Sequence, residues 1–117
     1  MAPSFGISKA FLAKLKIGMA MVSSLGKEVV GISVDSWGVD YVLLDADGEL
    51  ISPAFHYRDS RNKASSNAVL KRLEWKAIYE ETGLQFINFN TLFQLAAETP
   101  ERLARASKVL PLVDGFN

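Results

Sequence analysis

Residues 29–34 constrain the fold of this chain more than any other segment. The run is rich in valine and isoleucine and almost free of polar residues, which is typical of a β-strand buried on both faces of a sheet. Such a strand needs neighbours on both sides, and the 117 residues offer few candidates for them. The sequence therefore predicts an α/β domain with a central strand at residues 29–34 and a sheet that is only part of a larger one.

The other predicted strands are short. Residues 41–44 and 49–51 flank the turn sequence DADG and predict a hairpin in which Gly48 takes a positive φ angle. Residues 109–113 predict a last strand near the end of the chain. The predicted order of elements is helix, strand, hairpin, helices and strand, which indicates one α/β unit without repeats or linkers.

Helical periodicity predicts helices on both sides of the strands. Residues 9–25 predict a helix with Ser8 as N-cap and a buried apolar stripe made of Phe11, Leu12, Leu15, Met19 and Val22. Residues 64–81 predict a second helical region that breaks near Trp75 and stops at Gly83, with inward positions at Val69, Leu70, Leu73 and Ile78. Asn90 and the pair Thr99-Pro100 predict the starts of two further helices.

The charge balance excludes several classes of partner. Thirteen basic and thirteen acidic side chains give zero formal net charge, so nothing in the composition favours nucleic acid or an anionic membrane. The chain has no cysteine and one histidine, His56, which excludes disulfides and a typical zinc site, and we expect no metal ligands. Lysines interrupt the apolar amino-terminal region, which argues against a membrane span or secretory signal. We expect a cytoplasmic protein.

The segment DSWGVDY, residues 35–41, is the first candidate binding site. Gly38 would let a ligand approach the backbone closely, and the face of Trp37 suits the C–H groups of a sugar. Asp35 and Asp40 supply hydrogen-bond acceptors. The same residues also fit a connecting turn with Trp37 in the core and the aspartates bonded to backbone N–H groups. Residue types alone favour the turn.

The segment HYRDSR, residues 56–61, is the second candidate. Asp59 could accept a hydrogen bond from a hydroxyl group, and either Arg58 or Arg61 could bind an oxygen ligand through its guanidinium. Alternatively, the aspartate and the arginines form a network that fixes the loop, and residue types alone favour that interpretation. His56 is better interpreted as a surface or packing residue than as a general base. The sequence contains neither GxxxxGK[ST] nor GxGxxG, so neither familiar phosphate-binding loop is predicted.

Five motifs that occur in a fixed order indicate a family more specifically than any one of them does alone. They are DSWGVD, LLDADG, YRDSR, IYEETGLQFINFNTLFQL and an Asp-x-Phe sequence at residues 114–116. With them, the chain from about residue 15 to residue 116 resembles the amino-terminal domain of the L-rhamnulose kinases of the FGGY carbohydrate kinase family. The resemblance implies a ribonuclease H-like (actin-like ATPase) fold, and transfer of the γ-phosphoryl group of Mg-ATP to a ketose hydroxyl in a cleft between two such domains.

The resemblance also implies roles for single residues. Gly38 matches a glycine that contacts the sugar, and the adjacent Trp37 and Asp40 are further substrate-binding candidates. Candidates for supporting positions around this site are Asp35, Asp59 and Arg61. No residue of the chain matches a catalytic residue of the family.

The chain departs from the family pattern in three places. Residues 1–8 do not resemble the family's first β-hairpin, which carries a glycine-rich phosphate-binding turn. The catalytic aspartate and the ATP-binding domain would follow Asn117. Val113 stands where a proline usually precedes the aspartate matched by Asp114. We therefore expect a single partial domain over residues 1–117, a sheet with flanking helices that lacks the first hairpin.

Three functional hypotheses follow. The first is a fragment of an L-rhamnulose kinase that carries one wall of the sugar site, has no cofactor of its own and is inactive alone, ATP and Mg²⁺ belonging to the complete enzyme. The second is a non-catalytic α/β module that self-associates or binds a protein partner. The third is a sugar-binding module without catalysis. Unpaired sheet edges recruit other strands, so we expect a homo-oligomer or association with the missing kinase parts.

Overall fold

A computed structural model describes residues 9–26 and 28–116 of the chain. Over these residues the chain forms helices and strands in an α/β arrangement, which confirms the predicted class. The elements in chain order are α1 (Lys9–Ser24), β1 (Tyr41–Leu44), α2 (Arg61–Leu70), α3 (Trp75–Thr82), α4 (Thr91–Ala96), α5 (Pro100–Arg105), β2 (Lys108–Pro111) and a final 3-10 helix (Leu112–Phe116).

The two strands pair antiparallel, with Tyr41 opposite Pro111 and Leu44 opposite Lys108. The last predicted strand is thus confirmed as β2. On its other side β1 is joined by the chain returning from the DADG turn. There the N–H of Ile51 donates to the carbonyl oxygen of Leu43 at 2.9 Å, and Gly48 has a φ of +81°. The turn of the predicted hairpin is confirmed. Residues 49–51 form only a single β-bridge to β1, between Leu50 and Leu44, rather than a full strand.

The prediction of a buried central strand at residues 29–34 is wrong. These residues have no regular secondary structure, and Val30 and Ile32 are 91% and 60% exposed. No main-chain hydrogen bond joins residues 28–34 to another described residue. A strand without a neighbour leaves its N–H and C=O groups unpaired, so valine and isoleucine content alone cannot form one.

Helix α1 follows the prediction for residues 9–25 closely, but its predicted apolar stripe is not buried. Met19 and Val22 are exposed and Leu15 is half-buried, because no described helix or strand packs extensively on α1. Ser8 and the side chains of Phe11 and Leu12 lie outside the described residues. Among the described helices, none is long and apolar enough to cross a bilayer.

The second helical region breaks where predicted, into α2 and α3, and ends at Gly83 with a φ of +65°. Its buried positions were predicted wrongly: Leu73 is exposed, and Val69, Leu70 and Ile78 are only half-buried. Helix α2 instead buries Asn62, Ser65 and Ser66. The hydroxyl of Ser65 donates to the carbonyl oxygen of Phe93 at 2.6 Å, so small polar side chains let α2 pack closely on α4.

Both later helix starts lie at the predicted residues. Thr99 accepts a hydrogen bond from the N–H of Arg102 at 3.3 Å, and Pro100 occupies the first turn of α5. Asn90 precedes α4, but its side-chain amide donates to the carbonyl oxygen of Gln85 at 2.9 Å instead of capping the helix. Both N-cap positions were therefore predicted correctly, but only Thr99 caps its helix with its side chain.

The described core lies around β1. Tyr41, Leu43 and Ile51 form a buried cluster, and Leu95 and Ala106 pack against it. Val42 and Phe93 are also fully buried. The core therefore lies directly behind the segment DSWGVDY, which enters β1 from its amino-terminal side.

Candidate functional site

Trp37 lies on the surface, and the interpretation that placed it in the core is wrong. Its side chain is 77% exposed, and its ring centroid lies 6.3 Å from that of Tyr57. Regular pairing in β1 begins only at Tyr41, so Trp37 precedes the part of the segment that enters the core. A large exposed indole next to a second aromatic ring is a surface that can bind the apolar face of a ligand.

The backbone next to Trp37 is fixed by helix α4. The carbonyl oxygen of Val39 accepts hydrogen bonds from the Thr91 hydroxyl at 3.0 Å and from the Gln94 side-chain amide at 2.9 Å. The same amide donates to the carbonyl oxygen of Phe89 at 2.8 Å, and the Gln94 side chain is completely buried. Two of the motifs that carry the resemblance, DSWGVD and FNTLFQL, are thus bonded to each other.

Asp40 is buried and holds the main chain of Tyr57. Its carboxylate accepts the N–H of Tyr57 at 2.8 Å, while the carbonyl oxygen of Tyr57 accepts the Asn62 side-chain amide at 2.7 Å. Burial raises the pKa of Asp40, and the positive charge of His56 and the Tyr57 N–H partly oppose that shift. Asp40 therefore positions the aromatic residue beside Trp37. Whether it also contacts a sugar stays a prediction.

Asp59 and Arg61 do not pair side chain to side chain, which corrects the loop network expected for residues 56–61. The Asp59 carboxylate accepts the main-chain N–H of Arg61 at 2.9 Å. The Arg61 guanidinium lies 3.6 Å from the centroid of the Phe55 ring and pairs with Glu98 at 3.1 Å. The acid that binds this arginine comes from a distant part of the chain, so local spacing could not identify it.

Glu98 is the centre of a buried polar cluster. It accepts hydrogen bonds from the Tyr41 hydroxyl at 2.6 Å, from Arg61 at 3.1 Å and from Arg102 at 2.7 Å. Burial raises the pKa of Glu98, but these three donors outweigh it and hold that pKa below its ordinary value. Burial, together with the hydrogen bond to Glu98 and its charge, raises the pKa of Tyr41.

The cluster fixes the loop that leads to the candidate site. The Arg102 guanidinium donates to three consecutive carbonyl oxygens, those of Ile51, Ser52 and Pro53, at 3.2, 2.7 and 2.8 Å. Arg102 binds the start of the loop between residues 51 and 61, and Arg61 lies at the end of that loop. Because both arginines bind Glu98, which lies just before α5, both ends of the loop are held there. The aromatic residue Tyr57, which lies between them, is held in place as a consequence.

A cleft of about 550 Å³ lies in front of Trp37. Its aromatic lining is Trp37, Tyr57 and Phe89, and the centroids of the last two rings lie 5.3 Å apart. Its polar lining consists of Arg58, Asp59, Ser60, Asn62, Lys63 and Asn88. Aromatic faces combined with hydroxyl, amide, carboxylate and cationic groups are typical of sites for small polyhydroxylated ligands.

Gly38 borders a second cavity of about 380 Å³. Val39 lines both cavities, and the second is otherwise formed by α3 and residues 84–93, including Trp75, Tyr79 and Phe86. Gly38 has a φ of +72°, and no atom lies within 4 Å of the position a Cβ would take. The space beside its Cα is therefore open, and its contact with a sugar stays a prediction.

The structure brings together only some of the predicted site residues. Trp37 and Asp59 line the same cleft, and Gly38 lies beside them on the second cavity. Asp35 lines neither cavity and accepts the N–H of Ser36 at 2.8 Å. Arg61 points towards Glu98.

Sequence reasoning missed the remaining cleft residues, notably Tyr57, Asn88 and Phe89. The alternation of amide and aromatic residues in Asn88-Phe89-Asn90 is a signal that could have indicated the last two, because both types commonly line small-molecule pockets. Within residues 9–26 and 28–116 no group of three or more histidine, aspartate or glutamate side chains is placed to hold a metal ion.

Comparison with known proteins gives a consistent family assignment. The profile of the FGGY family of carbohydrate kinases, N-terminal domain, matches residues 7–114. The chain is 44% identical over 96 residues to a rhamnulokinase of Mannheimia succiniciproducens, covering 82% of this chain and 20% of that protein. It is 45% identical over 103 residues to a rhamnulokinase of Pectobacterium carotovorum subsp. carotovorum, with 86% and 21% covered.

A rhamnulokinase of Bacillus subtilis is 38% identical over 103 residues, with coverage of 88% of this chain and 21% of the relative. The chain thus spans about a fifth of the length of the curated relatives that it matches. The matched part includes both motifs that meet at Val39, and every residue that lines the cleft in front of Trp37.

Proposed function

Because the chain belongs to the FGGY family of carbohydrate kinases and matches its N-terminal domain, we propose that it is part of an ATP-dependent kinase that phosphorylates L-rhamnulose. The support for this substrate is that the similar proteins named above are rhamnulokinases. In this proposal residues 1–117 form one partial domain of ribonuclease H-like fold, without the first hairpin of such domains. The kinase works in the cytoplasm, where ATP is available.

The proposed contribution of the chain is one wall of the sugar site. The observation that carries this proposal is the exposed indole of Trp37 at a cleft that also contains Tyr57 and Phe89. Burying apolar C–H groups of a ketose against these rings would remove exposed aromatic surface from water. Gly38 lets the ligand approach the main chain, and Asp59 offers a carboxylate to its hydroxyl groups.

The remaining candidates act through other residues. Asp40 is proposed to hold Tyr57 in the wall through its N–H, and Arg61 to hold the same loop through Glu98. Asp35 would stabilise the turn that leads to Trp37. These positions set the shape of the wall, since a displacement of about 1 Å in a binding group can lower the rate of a catalysed reaction substantially.

Phosphoryl transfer also needs a base for the attacking hydroxyl and a site for Mg-ATP. We propose that both come from parts of the enzyme outside these 117 residues, and that ATP and Mg²⁺ bind there. The chain alone would then orient the sugar without phosphorylating it. Catalytic turnover of ATP and L-rhamnulose by the purified 117-residue chain would contradict this part of the proposal.

Sugar binding can be measured directly by isothermal titration of L-rhamnulose into the purified chain. We expect weak saturable binding, with a dissociation constant on the order of millimolar, because a single wall buries little of the ligand. Trp37→Ala should abolish it with little effect on folding, since the indole is mostly exposed. Gly38→Val should also abolish it. Gly26→Val, at a similar positive φ and with equally open surroundings, serves as the matched control that retains binding.

A second candidate function is supported by a separate observation. Large apolar side chains of α1 and of the residues that follow it are exposed, including Met21, Leu25 and Val30. Contiguous exposed apolar surface of this kind favours a module that self-associates or binds a protein partner without catalysis.

The titration distinguishes the candidates: a chain that associates but shows no binding of L-rhamnulose supports the second. A sugar-binding module without catalysis predicts binding in isolation and no turnover when the rest of a rhamnulokinase is added.

A further inference from the structure

Asn62 is the one buried residue among those that line the cleft in front of Trp37. Its exposed fraction is 2%, whereas the other lining residues are half-buried or exposed. It lies in the first turn of α2, and its side chain reaches back to the preceding loop, where Nδ2 donates to the carbonyl oxygen of Tyr57 at 2.7 Å. Because a polar side chain is costly to bury, the hydrogen bonds of this residue determine what it contributes to the cleft.

The carboxamide of Asn62 has one polar atom with a partner and one without. Nδ2 is bonded to the carbonyl oxygen of Tyr57, whereas the buried Oδ1 accepts no hydrogen bond within the described part of the chain. The Tyr57 bond fixes which way the amide faces, because only the nitrogen can donate to a carbonyl oxygen. A buried acceptor without a donor destabilises the folded chain, so a ligand that supplies the donor would be favoured.

The lining of the cleft restricts the ligands that could supply this donor. Asn62 holds the main chain of Tyr57, whose ring centroid lies 6.3 Å from that of Trp37 and 5.3 Å from that of Phe89. A small ligand that packs its C–H groups on these rings would also lie close to Asn62, because all four residues line the same cleft. Lys63, next to Asn62 in the lining, has an exposed side chain that can change rotamer to admit the ligand.

A hydroxyl group fits this position better than a charged donor. Arg58 and Lys63 line the cleft together with Asp59, which leaves positive charge in excess. An ammonium ligand would be repelled by that excess, and a carboxylate ligand has no proton to donate. A hydroxyl group is neutral, donates one hydrogen bond and retains its lone pairs for neighbouring donors.

We propose that Oδ1 of Asn62 accepts a hydrogen bond from one hydroxyl group of the ketose, which makes Asn62 a specificity-determining residue. The inference rests on the proposed sugar site and adds a requirement to it: the ligand carries a hydroxyl donor beside the C–H face that packs on the rings. An analogue without that hydroxyl leaves the buried acceptor unpaired and is rejected. The rings alone do not discriminate in this way, because they contact C–H groups rather than hydroxyl groups.

Deoxy analogues of L-rhamnulose, each lacking a single hydroxyl group, test the inference on the wild-type chain. NMR titration is the suitable measurement, because it follows weak binding and also reports the side-chain amide of Asn62. At least one analogue should bind about tenfold more weakly than L-rhamnulose, which is the effect expected for one lost hydrogen bond. L-Rhamnulose should shift the side-chain amide resonances of Asn62, and that analogue should shift them much less at equal occupancy.

Asn62→Leu shows which hydroxyl group Asn62 contacts. The variant keeps most of the side-chain volume but has no acceptor, so L-rhamnulose and the weakly bound analogue should bind to it with affinities equal within about twofold. If Asn62 acted only through Tyr57, all ligands would weaken by the same factor and the ratio of their affinities would persist. Asn67→Leu, at an exposed position of the same helix, is the matched control and should keep the wild-type ratio.

The possible results separate this inference from the proposed function. Loss of the ratio in Asn62→Leu but not in Asn67→Leu would support it, and if Asn62→Leu does not fold, the amide shifts of the wild-type chain decide. Binding of L-rhamnulose with a ratio that persists in Asn62→Leu, or without any shift of the Asn62 amide, would overturn the inference and leave the sugar site in place. No binding of L-rhamnulose at all would overturn both.

Discussion

The side-chain amide of Gln94 donates a hydrogen bond to the main-chain carbonyl oxygen of Val39 at 2.9 Å, across 55 positions of the sequence. Val39 follows Trp37 and Gly38 directly, so this bond fixes the main chain next to both. A second donor on the same oxygen, the hydroxyl of Thr91, comes from the same helix. The motif FNTLFQL thus has a clear physical role, which is to hold the proposed sugar-binding segment.

Gln94→Leu should lower the free energy of unfolding by about 2 kcal/mol. The substitution retains most of the side-chain volume but leaves the carbonyl oxygen of Phe89 without this donor and removes one of two donors from Val39. Chemical denaturation monitored by circular dichroism would measure the change. Gln85→Leu, at an exposed position, is the control and should change stability by less than about 0.5 kcal/mol. Equal effects of the two variants would contradict the account.

Glu98→Gln should be more destabilising, by about 3 kcal/mol. The Glu98 side chain is 1% exposed and neutralises two guanidinium groups that are themselves largely buried, so the amide would leave both charges without a counter-ion. The exposed pair Lys76–Glu80, with 3.7 Å between its charged atoms, supplies the control. Glu80→Gln should change the unfolding free energy by less than about 0.5 kcal/mol. Thermal and urea denaturation of both variants would test the difference.

The same carboxylate should contribute to the loss of stability in acid. The pKa of Glu98 is lowered from 4.5 in the folded chain, so its contribution is fully present above pH 4.5 and is lost as the pH falls through the lower folded value. Asp40 acts in the opposite direction: its raised pKa gives a contribution that is present below 3.8 and is lost as the pH rises. Between neutral pH and about pH 3, the unfolding free energy of Glu98→Gln should fall less steeply than that of the wild type. If the unfolding free energies of the two proteins fell equally with pH over this range, the assignment to Glu98 would be contradicted.

Gly38→Ala should reduce stability by about 1–2 kcal/mol although nothing lies near the added methyl group. The reason is the φ of +72°, which disfavours any side chain with a Cβ. Gly18→Ala offers a control of opposite sign. It lies inside α1 with equally open surroundings, and alanine there should raise stability by about 0.5–1 kcal/mol. A neutral Gly38→Ala variant would show that the turn has another conformation in solution.

Local signals in the sequence predicted local features correctly. Gly83 ends α3, Gly48 forms its turn, and Thr99 caps α5, because each depends on the conformation of a few adjacent residues. Some predictions that required a partner from elsewhere in the chain failed, although the last predicted strand was confirmed as β2, which pairs with β1. Residues 29–34 have strand composition without a neighbour, and Trp37 is hydrophobic yet lies in front of the core.

The candidate site shows the same division. Gly38 and Trp37, which line the two cavities, could be proposed from the segment that contains them, since the properties that suggest them are local. Tyr57 and Glu98 could not, because their roles arise from contacts with Asp40 and Arg61, which lie 17 and 37 positions away. Residue types indicate which groups could bind a sugar, and long-range hydrogen bonds decide which of them line the same cleft.

The central claim, that the segment around Trp37 is one wall of a ketose site, can be tested by the fluorescence of Trp37. The chain has two tryptophans, and Trp75→Phe, at an exposed position, leaves Trp37 as the only indole. Titration of this variant with L-rhamnulose should give a saturable change in emission, which the additional substitution Gly38→Val should abolish. Emission that stays constant up to concentrations well above millimolar would contradict the claim.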